Sequence, residues 1–419
     1  MEGELIMPET KKVTRRQFIK GSVGAVSAFT IVPRHVLGGP NNTPPSETFG
    51  GALIGCGGRG NGTFNAMGLE AKKLAICDVK FVGREDNKKV YTDFRRVLER
   101  KDIDVVAIAT PPHWHALISI AAMQAGKDVL CEKPMTRFIA EGRAVAEAEK
   151  RYNRIFQVGT FGRFGRSRDP KSIEIHKIMA SGLLKNNCKG VHIKSGGLKV
   201  KQWSGMVNAQ PQPIPKSLDW DMYCGPSPLR PYHPHRHGGT HRGYWDYEGG
   251  GLADMGQHHF DPVQWVYAKD DTSPVEIEAY APPAHPEACG MWGWVELKYA
   301  DGMTFVMDSK EWPVSEQPAY DRKSAREVSL SDLSEDDQKK IKEMPDPQPL
   351  VSFAEAVKTR KRAGGNADAA NRSATLLHLA NIAIRTGRKL RYDPVKEQII
   401  GDEEANRLVN PPMRAPWHL

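Results

Sequence analysis

The chain has 419 residues, of which 39% are hydrophobic and 26% charged, with a formal net charge of +9. That length exceeds one ordinary core and points to two domains with appendages, and the composition is globular, not disordered. Residues 1–37 hold six basic and three acidic side chains, leaving a mild +6 on the rest, and no basic run interleaved with aromatics marks a nucleic-acid surface.

The amino terminus reads as an address. Thr14-Arg15-Arg16-Gln17-Phe18-Ile19-Lys20 precedes a short apolar run from Gly21 to Val32. The run is shorter than the roughly 20 apolar residues a bilayer span needs. A paired arginine, a phenylalanine and a modest apolar stretch resemble a twin-arginine export signal, which places the protein in the periplasm or otherwise outside the cytoplasm. Val26-Ser27-Ala28 offers a small-residue cleavage site, and residues 38–47, rich in Gly, Asn and Pro, read as a linker. The six cysteines lack zinc-site spacing; Cys56, Cys77 and Cys131 lie in or beside apolar runs and read as buried free thiols. Export of an already folded chain would let those thiols be buried first.

From residue 48 a dinucleotide-binding half is expected. The apolar run Gly50 to Ile54 leads into Gly55-Cys56-Gly57-Gly58-Arg59-Gly60, which is G-x-G-x-x-G at a strand-to-helix turn. Gly55 allows the tight turn, Gly57 lets backbone approach a pyrophosphate, and Gly60 lets helix and strand pack closely, with Gly58 and Arg59 beside them. A second strand, Leu74 to Cys77, ends in Asp78, where a carboxylate accepts from a ribose 2′-hydroxyl and repels a 2′-phosphate. NAD is therefore expected over NADP. The dozen residues between Asp78 and Tyr91 are few for a crossover helix.

The alternation then continues. Ile103 to Ala109 is a continuous apolar strand, followed by Thr110-Pro111-Pro112 and a helix from about His115 to Gln124. Lys127 to Cys131 is the next strand, ending at Glu132-Lys133-Pro134; Ile139 to Lys150 is helical and Ile155 to Val158 is a further strand. Strands alternating with helices imply a doubly wound parallel sheet. The Rossmann domain is expected over residues 48–165. An α+β substrate-binding and oligomerisation domain should follow over 166–393, then a tail, 394–419, that packs back on the body.

The glycine loop, Thr110-Pro111-Pro112-His113-Trp114-His115 and the Glu132-Lys133-Pro134 tripeptide together resemble the glucose–fructose oxidoreductase / inositol dehydrogenase (Gfo/Idh/MocA) family. Leu218-Asp219-Trp220-Asp221 with Cys224-Gly225-Pro226, Asp246-Tyr247-Glu248-Gly249-Gly250-Gly251, Gly387-Arg388-Lys389-Leu390 and Pro412 to Trp417 resemble its exported branch. The resemblance covers nearly the whole chain. It implies NAD-dependent transfer of hydride at a carbinol carbon of a sugar or glycoside. It also implies a second domain with an open antiparallel sheet whose outer face makes a homo-oligomer contact, for which Trp292 and Trp294 are candidates. Thr110, Pro111, His115, Glu132 and Lys133 join the glycine loop and Asp78 as candidate cofactor contacts.

Carbinol oxidation sends a hydride from carbon to nicotinamide and a proton from oxygen to a base. Lys133, at the carboxyl end of a sheet strand, stands where ligand crevices open in such folds, and a lysine desolvated beside a positive nicotinamide gives up its proton more readily. Asp254 and His258 are four apart, so on a helix they share a face, matching the family's D-x-x-x-H pair. Lys133, Asp254 and His258 are the candidate catalytic residues. Candidates for the sugar side are Arg163, Trp203, His241, Arg242, Tyr247 and His259. His233, His235, His237 and His241 raise the thought of a metal, but no cysteine or carboxylate pair completes a ligand set, and no metal is expected.

Further on, Met291 to Tyr299 alternates, turns at Asp301-Gly302 and resumes as Met303 to Met307, an antiparallel hairpin. Ser331 to Met344 reads as an exposed charged helix, and Phe353 to Arg385 as a helical stretch returning to the first domain. Three readings compete. One is a plain sugar or glycoside dehydrogenase, and another a redox-neutral glycosidase that oxidises, eliminates, hydrates and reduces with the same NAD. The third is a non-catalytic dinucleotide or sugar sensor, against which Lys133 and the Asp254/His258 pair argue.

Overall fold

Strand β1 (Gly50–Ile54) is buried along its whole length, as its uninterrupted apolar sequence requires of a strand covered on both faces. In the computed structural model, which describes residues 48–184, 191–193, 198–312 and 327–419, it lies inside a six-stranded sheet. The export-like segment, the linker and Cys188 lie outside the described residues. The other strands of this sheet are β2 (Lys72–Cys77), β3 (Val90–Tyr91), β4 (Val105–Ile108), β5 (Asp128–Cys131) and β6 (Phe156–Val158), in the order β3-β2-β1-β4-β5-β6 and parallel throughout. Helices α1 (Gly60–Ala66), α2 (Phe94–Leu98), α3 (His115–Gln124) and α4 (Ile139–Tyr152) connect them.

The short crossover after Asp78 contains no α-helix. A 3₁₀ turn, Val79–Phe81, is followed by a loop in which one Asp86 oxygen accepts from the N–H groups of Lys88, Lys89 and Val90 at 3.0, 2.7 and 2.8 Å. The carboxylate satisfies the backbone donors a helix would otherwise have paired.

After α5 (Gly162–Arg166) and α6 (Pro170–Ser181), a second sheet gathers β7 (Val191–Ile193), β8 (Glu276–Tyr280), β9 (Trp294–Lys298), β10 (Thr304–Asp308), β11 (Leu390–Asp393) and β12 (Gln398–Ile399). Its order is β12-β11-β8-β9-β10-β7, antiparallel except where β7 runs parallel to β10 at the edge. The hairpin register sets Leu297 opposite Phe305 and Val295 opposite Met307, all buried on the inner face. Neither Trp292 nor Trp294 is exposed, although Trp294 lies on the strand face opposite Val295 and Leu297. Both are buried within this chain: Trp292 precedes the strand and joins the inner core, and Trp294 stacks on Tyr280 at 6.2 Å.

The helices of this half are α7 (Trp220–Cys224), α8 (Gly250–Val266), α9 (Glu335–Glu343), α10 (Phe353–Thr359), α11 (Ala367–Thr386) and α12 (Glu403–Arg407). The expected helix from 353 to 385 is two. Arg360 turns left-handed at φ 59° and its guanidinium pairs with Asp128 at 2.6 Å, and Asn366 then caps α11 by accepting from Ala369 N–H. Along α11, Ala367, Ala370 and Ala374 pack with the parallel sheet's core, and Leu376 to Ile384 with that of the second sheet. One helix thus closes both cores. Among the described residues Cys77, Cys131, Cys224 and Cys289 are buried free thiols, whereas Cys56 is only half-buried.

Where α8 meets the parallel sheet lies a buried polar network. Arg163 Nε donates to Asp261 Oδ2 at 2.9 Å, its other nitrogens reach Asp270 and the Gly364 carbonyl, and Thr160 donates to Asp261 Oδ2 at 2.8 Å. Ser373 donates to Asp261 Oδ1 at 3.1 Å and accepts from Gln257, whose own oxygen takes the Met135 N–H at 2.8 Å. Arg163, 1% exposed, is therefore not a sugar ligand: every direction its fork offers is spent inside the protein. Removing one charge of a buried pair strands the other, so Arg163→Met or Asp261→Asn is expected to cost about 3–5 kcal/mol. The double replacement by apolar residues should cost clearly less. Urea unfolding of the three variants checks this.

Candidate functional site

The parallel register sets Ile54 beside Ile108 and Ile108 beside Cys131, so β1, β4 and β5 end level. Everything just past those ends meets at one edge, where the strand order reverses between β1 and β4 and ligand crevices form. A cleft of about 500 Å³ opens there, between the glycine loop, Asp78, Thr110-Pro111 and Glu132-Lys133 on one side and Met222, Tyr223, His237, Arg242 and Glu248 on the other.

The glycines divide their work. A Cβ on Gly55, whose φ is +90°, would lie 2.4 Å from the Ala109 carbonyl carbon, and one on Gly60 2.4 Å from the Gly55 oxygen. At Gly57 and Gly58 a Cβ would meet nothing within 4 Å. The first two glycines are needed for close packing, and the middle two leave an open cradle of the kind a pyrophosphate fills. Asp78 caps this loop: its Oδ2 accepts from Cys56 N–H at 2.7 Å and its Oδ1 from Lys80 N–H at 3.1 Å. Lys80 Nζ lies 3.6 Å from that carboxylate and donates to the Cys56 carbonyl at 2.9 Å. Phe94, Trp114, Ile118 and Met222 line the apolar part of the same cleft. Trp114 donates to the Met222 carbonyl at 3.0 Å, and Trp417 of the carboxyl-terminal tail meets the Trp114 ring at 4.7 Å. Cradle, carboxylate and apolar slot together fit a dinucleotide.

Glu132 faces the loop rather than the cleft centre, accepting from Arg59 Nε at 2.7 Å and Thr63 Oγ1 at 2.8 Å. His115 is not a cleft residue. It is 1% exposed and sits between the ends of β4 and β5, its ring nitrogens 2.8 and 2.7 Å from the Thr110 and Pro134 carbonyls. Burial pushes its imidazole down, and that of His113 to about 3.

Lys133 reaches the cleft wall and donates to Asp254 Oδ1 and to the Asp254 carbonyl, both at 2.7 Å. Asp254 sits behind it on α8, also paired through Oδ1 with Arg242 Nε at 2.8 Å. Burial raises the Asp254 carboxyl, but Lys133 and Arg242 more than offset this and hold it below the usual carboxylate range. His258, one turn on, is half-buried; burial first, then the Lys133 charge, press its imidazole down to about 4.

The sugar-side candidates separate. Arg242 and His241 line the cleft. Trp203 does not; the Arg242 guanidinium stacks over it at 4.8 Å. Tyr247 is fully buried in an aromatic cluster, 5.0 Å from His113 and 5.5 Å from Tyr223, and cannot stack on a ligand. His259 is half-buried and, like Asp254 and His258, outside the cleft lining. Sequence reading missed Met222, Tyr223, His237 and Glu248. The Asp219 to Pro226 and Asp246 to Gly251 segments were recognisable as motifs, but nothing in their spacing says which side chain turns inward.

Comparison with known proteins agrees with this geometry. Residues 52–160 match the NAD-binding Rossmann fold of the Gfo/Idh/MocA oxidoreductase family, and residues 169–419 match its C-terminal alpha/beta domain. The chain is 35% identical over 118 residues to levoglucosan dehydrogenase from Pseudarthrobacter phenanthrenivorans, covering 28% of each chain. It is 30% identical over 173 residues to a glycosyl hydrolase family 109 protein from Shewanella pealeana, covering 33% of this chain and 38% of that one. The aligned part thus spans less than half the length of either relative. Among solved structures, the WlbA dehydrogenase from Chromobacterium violaceum, in complex with NADH and UDP-GlcNAcA, is 17% identical, with a TM-score of 0.50 over 83% of this chain and 96% of that one; it shows the fold alone.

The two kinds of glycine should separate in experiment. Gly60→Ala, which presses a methyl on backbone, is expected to lose about 1–3 kcal/mol of stability. Gly57→Ala should melt like the parent yet bind NADH about 10- to 100-fold more weakly, the worth of backbone donors to a charged group. Thermal melts and fluorescence titration with NADH check both.

Proposed function

Since the chain belongs to the Gfo/Idh/MocA oxidoreductase family, we propose that it transfers hydride between a nicotinamide dinucleotide, NAD in preference to NADP, and a carbinol carbon of a sugar or glycoside. The observation that carries this reading is Lys133 at the cleft wall, paired with Asp254, at the same sheet edge as the glycine cradle and Asp78. When bound, the nicotinamide supplies the two-electron acceptor or donor. The chain's residues handle the proton. Two of the three Lys133 donors are engaged by Asp254, and the third direction is left for a substrate oxygen. Asp254 keeps the Lys133 nitrogen in place. His258, held neutral down to about pH 4, keeps a lone pair free to take the hydroxyl proton while Lys133 donates to the same oxygen. The Asp78 carboxylate supports NAD by accepting from a ribose hydroxyl and repelling a phosphate there.

The glycosyl hydrolase relative favours a second reading, in which the same oxidation opens a redox-neutral cleavage of a glycoside. The arginine pair and apolar run before residue 38 support export by the twin-arginine route, with cofactor loaded beforehand.

Lys133→Ala and His258→Ala are each expected to lower turnover at least about a hundredfold while NADH affinity changes little, because proton transfer is demanded only in the transition state. The sign of the pH dependence follows from His258: its protonation removes the acceptor, so kcat/KM of the parent should hold down to about pH 5 and fall only as pH approaches about 4. Single-turnover absorbance at 340 nm with product analysis tests both readings. NADH with a keto sugar supports the dehydrogenase, free sugar without net NADH supports the glycosidase, and unslowed variants would rule out Lys133 and His258.

A further inference from the structure

Glu248 stands at the cleft with its side chain 2% exposed, yet its Oε2 atom, fully buried, accepts no hydrogen bond. Two groups brace it without satisfying it. His241 Nε2 lies 3.0 Å from Oε2 and Arg242 Nε 3.8 Å. His241 Nδ1 faces the Gly238 carbonyl. Arg242 gives its closer contact, 2.8 Å, to Asp254, and another nitrogen to the Gly239 carbonyl at 3.0 Å. A buried carboxylate oxygen without a donor is costly, and native proteins rarely leave one so unless a ligand completes it.

We propose that Glu248, braced by His241 and Arg242, is the acceptor for a second hydroxyl of the substrate, so that the cleft selects neutral rings carrying a hydroxyl next to the reacting carbinol. The inference rests on the sugar reading above and names what that site recognises. Three observations carry it. The ion pairs share a guanidinium: Lys133 and Arg242 meet on Asp254, and Arg242 meets Glu248, so one cation separates the proposed hydroxyl acceptor from the partner of Lys133. Among these four side chains two cations face two carboxylates, which leaves no net charge to attract a phosphate or a carboxylate on the substrate. Finally, Glu248 precedes Gly249 and Gly250, whose φ values of 159° and 73° turn the chain into α8, so the carboxylate is held by the start of the helix that also bears Asp254.

The test uses the full chain loaded with NAD. Glucose, levoglucosan, myo-inositol and methyl glucosides are screened for NADH formation, and the best of them is compared with its monodeoxy analogues in the parent and in Glu248→Gln. In the parent, one deoxy analogue should lose about 10- to 100-fold in kcat/KM, mostly through KM, the usual worth of a hydroxyl on a charged acceptor. In Glu248→Gln that gap should close to within about threefold, as coupling between two groups in contact demands. A variant that weakens every analogue by the same factor would show a merely structural carboxylate and overturn the proposal. Glu248→Asp, which keeps the charge but withdraws it by one methylene, carries the same expectation should Glu248→Gln not fold. If no sugar of the panel forms NADH, the proposed oxidation falls, and the subsite is read by calorimetric titration of the same sugars into NADH-loaded protein. There, binding at least about tenfold weaker in Glu248→Gln upholds it, and equal binding, including none, overturns it.

Discussion

The buried pairing of Arg163 with Asp261 fixes the depth at which α8 meets the parallel sheet, and the cleft is built on that depth. Asp261 lies seven residues along α8 from Asp254 and three from His258, so a shift of the helix would carry all three together. Ser373 and Gln257 extend the same network to the backbone of Met135, two residues beyond Lys133. The lysine on one structural layer and the aspartate on another are thereby set 2.7 Å apart by groups that touch neither reactant. Buried polar networks of this kind specify a geometry because each member is costly to leave unpaired.

Charge alternates along the cleft wall in the same manner. Asp254 is shared by Lys133 and Arg242, and Arg242 is shared in turn by Asp254 and Glu248 while lying flat on Trp203. Each cation has a carboxylate and each carboxylate a cation, which offsets the desolvation that the two buried carboxylates would otherwise suffer. At the opposite end the arrangement is sparser. Asp78 accepts from two backbone donors and has Lys80 alongside, so its negative charge is partly balanced before any ribose arrives.

Two parts of the sequence reading failed for the same reason. Arg163, Tyr247 and Trp203 are residue types that often bind sugars, but they are also types that fill interiors, and only packing tells the uses apart. Arg163 lies on a short helix whose neighbours supply two aspartates, so its fork is consumed. Tyr247 points into the cluster of Tyr223, Tyr244 and His113. Trp292 and Trp294, expected as exposed anchors, are both covered by the chain itself, because alternation says which residues share a face and not which face the chain will cover.

What the sequence determined by itself is the set of local devices whose geometry is carried in a few consecutive residues. These are the glycine loop with Asp78 behind it, the continuous apolar strands of a parallel sheet, the Asp301-Gly302 hairpin, and Lys133 at a strand end. Each depends on backbone freedom, side-chain period or strand polarity, which short-range order conveys. What only the tertiary structure decided is which distant side chains share the cleft. Arg242, and Glu248 beside it, share the cleft with Lys133 because α8 is docked by contacts from residues 160–163 and 370–373, 98 to 113 positions from the α8 residues they touch. No pattern along the chain encodes that distance. It follows from how the two cores, joined by α11, can both be closed at once.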